Sequence, residues 1–448
     1  MAGKKQVAKH LALALLAGVW TRNAMLRRAE NVLGQGVRKL LRQIIDDVLD
    51  QNVTPYPPPP RRLVELILNS LAFEQASLMA RKGVRIGRPT LKVPRFAPVL
   101  PGRYASLPKL ATPRDLADWL DLSLPHLEWF ADGKQQHGHA IDPTLQHYTY
   151  VWRLKKSGEP RLIEAPKRRL KAIQRQILEE ILDHIPPHDR AHGFVKGRSC
   201  LSAAQAHAGE NIVATVDLKD YFLNTPLNRV HGVFRCAGYP WLVARVLTGL
   251  CATSTPDRVF DDLPVSLRAV WTARDRYRAP HLPQGAPTSP ALANLCSWRL
   301  DCRVSGLARR LDANYTRYAD DLTFSGDSEF AQRIGRFLRS VEAIIGDEGY
   351  TVNDRKTRIM RNCGQQRVTG LVVNEHVNLP RADFDTLKAT LFNCLRHGPE
   401  RQNRTGHADF RAHLNGRVTW AENVNPGRGR RLRRIFERIE WQRDATTG

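Results

Sequence analysis

The sequence predicts an α+β fold preceded by a helical extension. Three observations carry this. "NIVATVDL" (211–218) is a short β-rich apolar run, the mark of a buried strand. "YTYVWRLKKSGEPRLIEAP" (148–166) and "NYTRYADDLTFSG" (314–326) alternate, turn and alternate again, as hairpins do. The rest of the chain is dominated by helical periodicity.

Taken in order, residues 1–53 read as helical. Leu15, Leu16, Val19, Trp20, Met25, Leu26, Ala29, Val32 and Leu33 recur at helical spacing, and Arg22, Arg27 and Arg28 follow the first apolar run. This is a basic amphipathic stretch that packs on a partner or on the rest of the chain. No small-x-small cleavage site follows, so a targeting segment is the lesser reading. Residues 54–111 form a linker. "TPYPPPPRR" must be extended, one helix is expected over Leu63–Met79, and a basic arm rich in Gly and Pro follows. At Thr112, "TPRDLADWLDLS" has a cap, a Pro at the first helical position and an acid at the third, which starts the main domain, 112–376. The first hairpin is expected to turn at Ser157–Gly158. "KRRLKAIQRQILEEILDHI" is an amphipathic helix, and 377–448 is a helical basic segment.

The 448 residues are 42% hydrophobic, enough for a sizeable core, and their net charge is +25, from 69 Lys and Arg against 44 acids. A chain this basic points to a polyanion, nucleic acid before anionic membrane. No apolar stretch is long enough to span a bilayer. Seven cysteines without a CxxC pair argue against a disulfide framework or a structural zinc site and fit a reducing cytoplasm.

In the second hairpin the turn is expected at Ala319–Asp321. Paired acids at a turn are usually just solvated. These are flanked by aromatic and β-branched residues of a core sheet, where two carboxylates repel and suffer desolvation. A divalent cation would relieve both costs. Asp217 ends the buried strand, and if that strand lies beside the hairpin a third carboxylate joins Asp320 and Asp321. Hard oxygen ligands without His or Cys suit Mg²⁺. Two such ions, roughly 3.5–4 Å apart, are a standard device for in-line attack on phosphate.

At this point the chain resembles reverse transcriptases of the bacterial retron type. "YADD" (318–321), "VDLKDYF" (216–222) and "LPQGAPTSPALAN" (282–294) match the family in order. "AHGFVKGRSC" (191–200), "QRVTGLVVN" (366–374) and "LNGRVTWAENVNPGRGRRL" (414–432) are similar to the retron type. "AAQAH" (203–207) departs from its Asn-Ala-x-x-His, with Ala203 in place of Asn. The likeness covers roughly residues 112–440 and implies a right-hand polymerase fold: fingers, a palm with an antiparallel sheet, and a helical thumb at 377–448.

The resemblance further implies roles. Asp217, Asp320 and Asp321 hold metal, with two Mg²⁺ as cofactor, and Lys356 donates a proton to pyrophosphate. Lys155 or Lys156 with Arg161 grips the triphosphate, which the backbone from Leu218 cradles. Gln284 and Gly285 lie against the nucleotide. Phe222 underlies the sugar and excludes a 2′-hydroxyl, which selects deoxynucleotides. Tyr318 flanks the primer end, and Arg198 and Arg431 contact primer or template. His192 and His207 are expected to be structural.

The implied activity is an RNA-directed DNA polymerase. It copies its own noncoding RNA, priming from a guanosine 2′-hydroxyl, into a branched RNA-linked DNA (msDNA). Its partners are dNTPs, an effector protein of the same operon and host ribonuclease H, in the bacterial cytoplasm and without a membrane, within an antiphage system. The alternatives are another defence-associated or group II intron-like reverse transcriptase, or a nucleic-acid-binding scaffold with a vestigial polymerase fold. No appended nuclease or protease segment is visible, which disfavours the intron reading.

Overall fold

A computed structural model describes residues 4–16, 21–51, 58, 60–81, 94–100, 102–132, 143–155, 158–263 and 273–441. Lys156, Ser157, Val19, Trp20 and most of the Pro-rich and basic arm segments lie outside the described residues. The chain divides into two compact units, each built from separate stretches: 1–186 with 222–296, and 187–221 with 297–448.

In the first unit, α1 (Lys4–Leu16), α2 (Arg22–Leu33), α3 (Arg38–Gln51), α4 (Pro60–Asn69) and α5 (Leu71–Arg81) share one apolar core. Leu15, Leu16, Met25, Leu26, Ala29, Val32 and Leu33 are all buried in it, so the expected stripe faces its own neighbours. Arg28 donates to the carbonyls of Ala14 and Leu15 at 2.9 Å, satisfying the orphan acceptors that end α1. The single helix expected over Leu63–Met79 is two. The chain breaks at Ser70, whose hydroxyl binds Asp47 at 2.6 Å and accepts from the amide of Phe73 at 3.3 Å. A serine that offers backbone groups an alternative partner favours a helix start over a helix interior. Trp241, on the helix Trp241–Cys251, joins the same core.

Thr112 caps the helix Pro113–Trp119 through a reciprocal box with Asp115. The hairpin pairs β1 (Tyr148–Leu154) with β2 (Pro160–Pro166), antiparallel, with Arg153 opposite Arg161. Leu162 and Glu164 face inward, whereas Arg161 is exposed. The amphipathic segment that follows is a helix over Arg168–Glu180 and a short turn over Leu182–His184.

The second unit is built on a four-stranded antiparallel sheet of β3 (Ile212–Asp217), β4 (Asn314–Tyr318), β5 (Asp321–Gly326) and β6 (Arg358–Arg361), in the order β4-β5-β3-β6. Its inner face packs on the helix Ser328–Asp347, which Asp327 caps and which buries Phe330, Ile334, Phe337, Val341 and Ile345. Phe324 stacks on Tyr315 at 5.2 Å and meets Phe337 edge-on at 4.9 Å. Two short strands, β7 (Arg367–Val368) and β8 (Leu371–Val372), form a ribbon. It shares a core with Ala204 and Val213, which joins the "AAQAH" and "VTG" segments. The helices Arg381–His397, Phe410–Val424 and Pro426–Phe436 pack round Leu391, Leu414, Val418 and Leu432.

Candidate active site

The interior strand β3, flanked by β5 and β6, carries Asp217 at its C-terminal end. In the β3–β5 register Asp217 lies directly opposite Asp321, and Tyr318 opposite Asp321 in the β4–β5 register. The turn is shorter than expected: only Ala319 and Asp320 lie outside the strands, and Asp321 opens β5. Ala319 has φ 58°, a left-handed conformation that tight hairpins need and usually obtain from Gly or Asn. Such a residue costs about 1–3 kcal/mol unless its surroundings hold it.

Gly193 crowds the turn from outside. A Cβ there would sit 2.6 Å from the amide nitrogen of Ala319 and 3.0 Å from the carbonyl carbon of Tyr318. Residues 190–192 run along β4: Arg317 donates its amide to the Arg190 carbonyl and accepts from the His192 amide, both at 2.7 Å. The bare glycine lets the two backbones touch. Composition alone offered no sign of this; the order His-Gly-Phe did so only through family likeness.

Asp217 is engaged on both oxygens. Asn353 Nδ2 donates to Oδ1 and Lys356 Nζ to Oδ2, each at 2.9 Å. Burial alone would lower the Lys356 ammonium, but the bond to Asp217 and the charges of Asp217, Asp320 and Asp321 drive it above the ordinary lysine value. Lys356 is thus a counter-ion of Asp217. Asn353 was missed by sequence reasoning; it lies three residues before Lys356 and bears no charge.

Asp321 is the perturbed acid. Burial, then the charges of Asp217 and Asp320, raise its carboxyl from 3.8 to about 7, and Lys356 only partly offsets them. Crowded carboxylates with oxygen donors alone fit a hard divalent cation. Among the described residues, no three His, Cys, Asp or Glu side chains form a ready-made metal cage.

The remaining predicted residues fare unevenly. Leu218 does not fit an amide cradle. Its N–H donates to the Asp320 carbonyl at 2.8 Å and that of Lys219 to Thr351 at 2.8 Å, so both amides after Asp217 are spent within the fold. Arg198 is likewise occupied: one nitrogen donates to the carbonyls of His188, Asp189 and Ala191, which ties down the loop before Gly193. Tyr318 is half-buried beside the exposed ring of Phe194, 6.4 Å away. Arg431 is exposed on the helix Pro426–Phe436.

His207 is buried and bonds Ser325 at 2.7 Å and Thr316 at 2.8 Å, and burial pushes it down to about 3. His192 bonds Ser202 at 2.8 Å and is lowered to about 4 by burial and nearby Arg198 and Arg190. Both are neutral and structural.

In the first unit, Lys155 pairs with Glu159 at 3.2 Å across the hairpin tip, and exposed Arg161 stands opposite Arg153, a cation the sequence reading passed over. Gln284 accepts from the Glu164 amide at 2.8 Å. Gly285 has φ 137°, and a Cβ there would lie 2.9 Å from the Glu164 carbonyl. Phe222 is half-buried at the start of that unit's second stretch.

An antiparallel sheet with carboxylates on a strand end and an adjoining hairpin turn is the palm of a nucleic-acid polymerase. A family model described as "Reverse transcriptase (RNA-dependent DNA polymerase)" matches residues 154–379. The chain is similar to the retron Mx65 reverse transcriptase of Myxococcus xanthus, 39% identical over 74% of this chain and 72% of the relative. It is 35% identical to the retron Mx162 enzyme of the same organism, over 73% and 67%, and 33% identical to the retron Ec86 enzyme of Escherichia coli, over 64% and 79%. The chain belongs to the reverse transcriptases, RNA-directed DNA polymerases, and among them to the retron type.

Proposed function

We propose that the chain copies part of a noncoding RNA into DNA that stays joined to it, priming from a guanosine 2′-hydroxyl, and that it serves an antiphage system with a separate effector protein. Asp217, Asp320 and Asp321 are the residues that hold divalent metal, as two Mg²⁺. The observation that carries this is the register of Asp217 against Asp321, with Asp320 in the adjoining turn.

When bound, magnesium supplies the charge that acidifies the attacking hydroxyl and neutralises the departing pyrophosphate. The hydroxyl gives up its proton to solvent and attacks the α-phosphorus; a P–O bond forms, the bond to the β-phosphate oxygen breaks, and pyrophosphate leaves. Lys356 keeps Asp217 oriented and balances its charge. Arg161, with Arg153 opposite it, suits the triphosphate, for which paired cations on one hairpin are well matched. Gly285 holds its loop against β2 so that Gln284 can meet the nucleotide. Phe222 selects deoxy sugars. Residues 112–376 act as fingers and palm, and 377–448 as the thumb, whose exposed arginines, Arg431 among them, hold duplex by phosphate contacts.

Two measurements test this. In Mg²⁺-dependent primer extension, Asp320→Asn is expected to abolish synthesis; wild-type activity would end the site assignment. DNA extracted from cells expressing the locus should be attached to RNA through a 2′–5′ bond; DNA with a free 5′ end would end the priming reading and spare the polymerase.

A further inference from the structure

The largest fully buried side chain among the described residues is a cation, Arg317, two residues before the turn. It is fully enclosed together with Asp301, on the helix Trp298–Arg309. The pair is bidentate: Nε donates to Oδ1 at 2.8 Å and Nη2 to Oδ2 at 2.7 Å. Tyr315 donates to Asp301 Oδ1 at 2.8 Å. The remaining guanidinium nitrogen, Nη1, donates to Tyr221 at 2.9 Å and to the carbonyl oxygen of Ala319 at 3.0 Å.

A buried ion pair is a weak source of stability, because desolvation consumes most of the Coulombic gain and apolar replacements of similar volume are often neutral or better. What this pair does that an apolar core cannot is grip one particular carbonyl. That carbonyl belongs to Ala319, the left-handed residue whose peptide leads into Asp320. Holding its oxygen fixes the rotation of that peptide and so the direction in which Asp320 leaves the turn. Gly193 confines the same turn from the other side.

We infer that Asp301 and Arg317 are positioning residues of the polymerase. Through the Ala319 carbonyl they hold the strained turn in the conformation that aims Asp320. The inference rests on the catalytic reading of Asp320 given above.

The test replaces the whole pair, Asp301→Leu with Arg317→Met, which leaves no orphan charge, beside Arg317→Lys and Asp320→Asn. The double variant should keep its melting temperature within about 3 °C of wild type. Its single-turnover kcat should fall about 10–100-fold with KM for dNTP within about 3-fold, as expected when only the aim of a group is lost. Arg317→Lys keeps the charge but not the fork, and should recover stability more than kcat. A double variant that folds with wild-type kcat overturns the inference. So does one that fails to fold, which would make the pair merely structural. If Asp320→Asn is as active as wild type, the catalytic reading falls instead.

Discussion

Gly193→Ala is the smallest change that should disable the polymerase without touching a polar group. The added Cβ would lie 2.6 Å from the Ala319 nitrogen and 3.0 Å and 3.3 Å from the Tyr318 carbonyl carbon and Cα. An ordinary contact is about 3.5 Å, so the two backbones must part by about 1 Å. Separation is opposed by the 2.7 Å bonds that join residues 190 and 192 to Arg317. Overpacking of this kind costs about 1–3 kcal/mol. An error of about 1 Å in a reacting group can cost about 100-fold in rate. Single-nucleotide incorporation on an excess of primer–template should therefore show kcat down about 100-fold, with nucleotide KM little changed. Gly335→Ala, in open space on the helix Ser328–Asp347, serves as control and should be neutral or stabilising by up to about 1 kcal/mol. A folded Gly193→Ala protein with wild-type kcat would refute the claim that this glycine sets the turn.

Asp321 holds its proton more tightly folded, at about 7, than the ordinary 3.8. Metal-free wild type should therefore lose stability as pH rises from about 4 to about 7, at up to ~1.4 kcal/mol per pH unit. In EDTA, Asp321→Asn should flatten that slope and melt above wild type at pH 8, while losing polymerisation; an unchanged pH–stability curve would show the carboxyl is not perturbed. Phe222→Ala should raise ribonucleotide incorporation, and an unaltered sugar preference would remove the gate. Arg431→Ala should weaken RNA binding alike for all sequences and reduce the slope of log affinity against log salt by about 1; a loss confined to one RNA sequence would contradict phosphate contact.

The helical extension, the hairpins and the buried strand were legible because amphipathic periods and turn residues are local properties. The described members of the stripe, Leu15, Leu16, Met25, Leu26, Ala29, Val32 and Leu33, are buried as their spacing implies, and Thr112 caps its helix as its neighbours imply. The break at Ser70 was not legible, because the hydroxyl's partner Asp47 comes from another helix. Lys356 was placed by likeness as a proton donor; its bond to Asp217 joins a turn to the end of a strand 139 residues away in the chain.

Sequence by itself determined which residue types stand where: acids at a strand end and a turn, cations on a hairpin, glycines in loops. Charge and hydrogen-bonding capacity belong to the side chain and travel with it. Tertiary structure alone decided which of these groups meet. It set Asp217 opposite Asp321, spent the Leu218 amide on Asp320, buried Arg317 on Asp301, and brought Gly193 against Ala319. Register and close approach arise from packing between segments distant in the chain, and a pKa or a steric limit exists only once those segments are in contact.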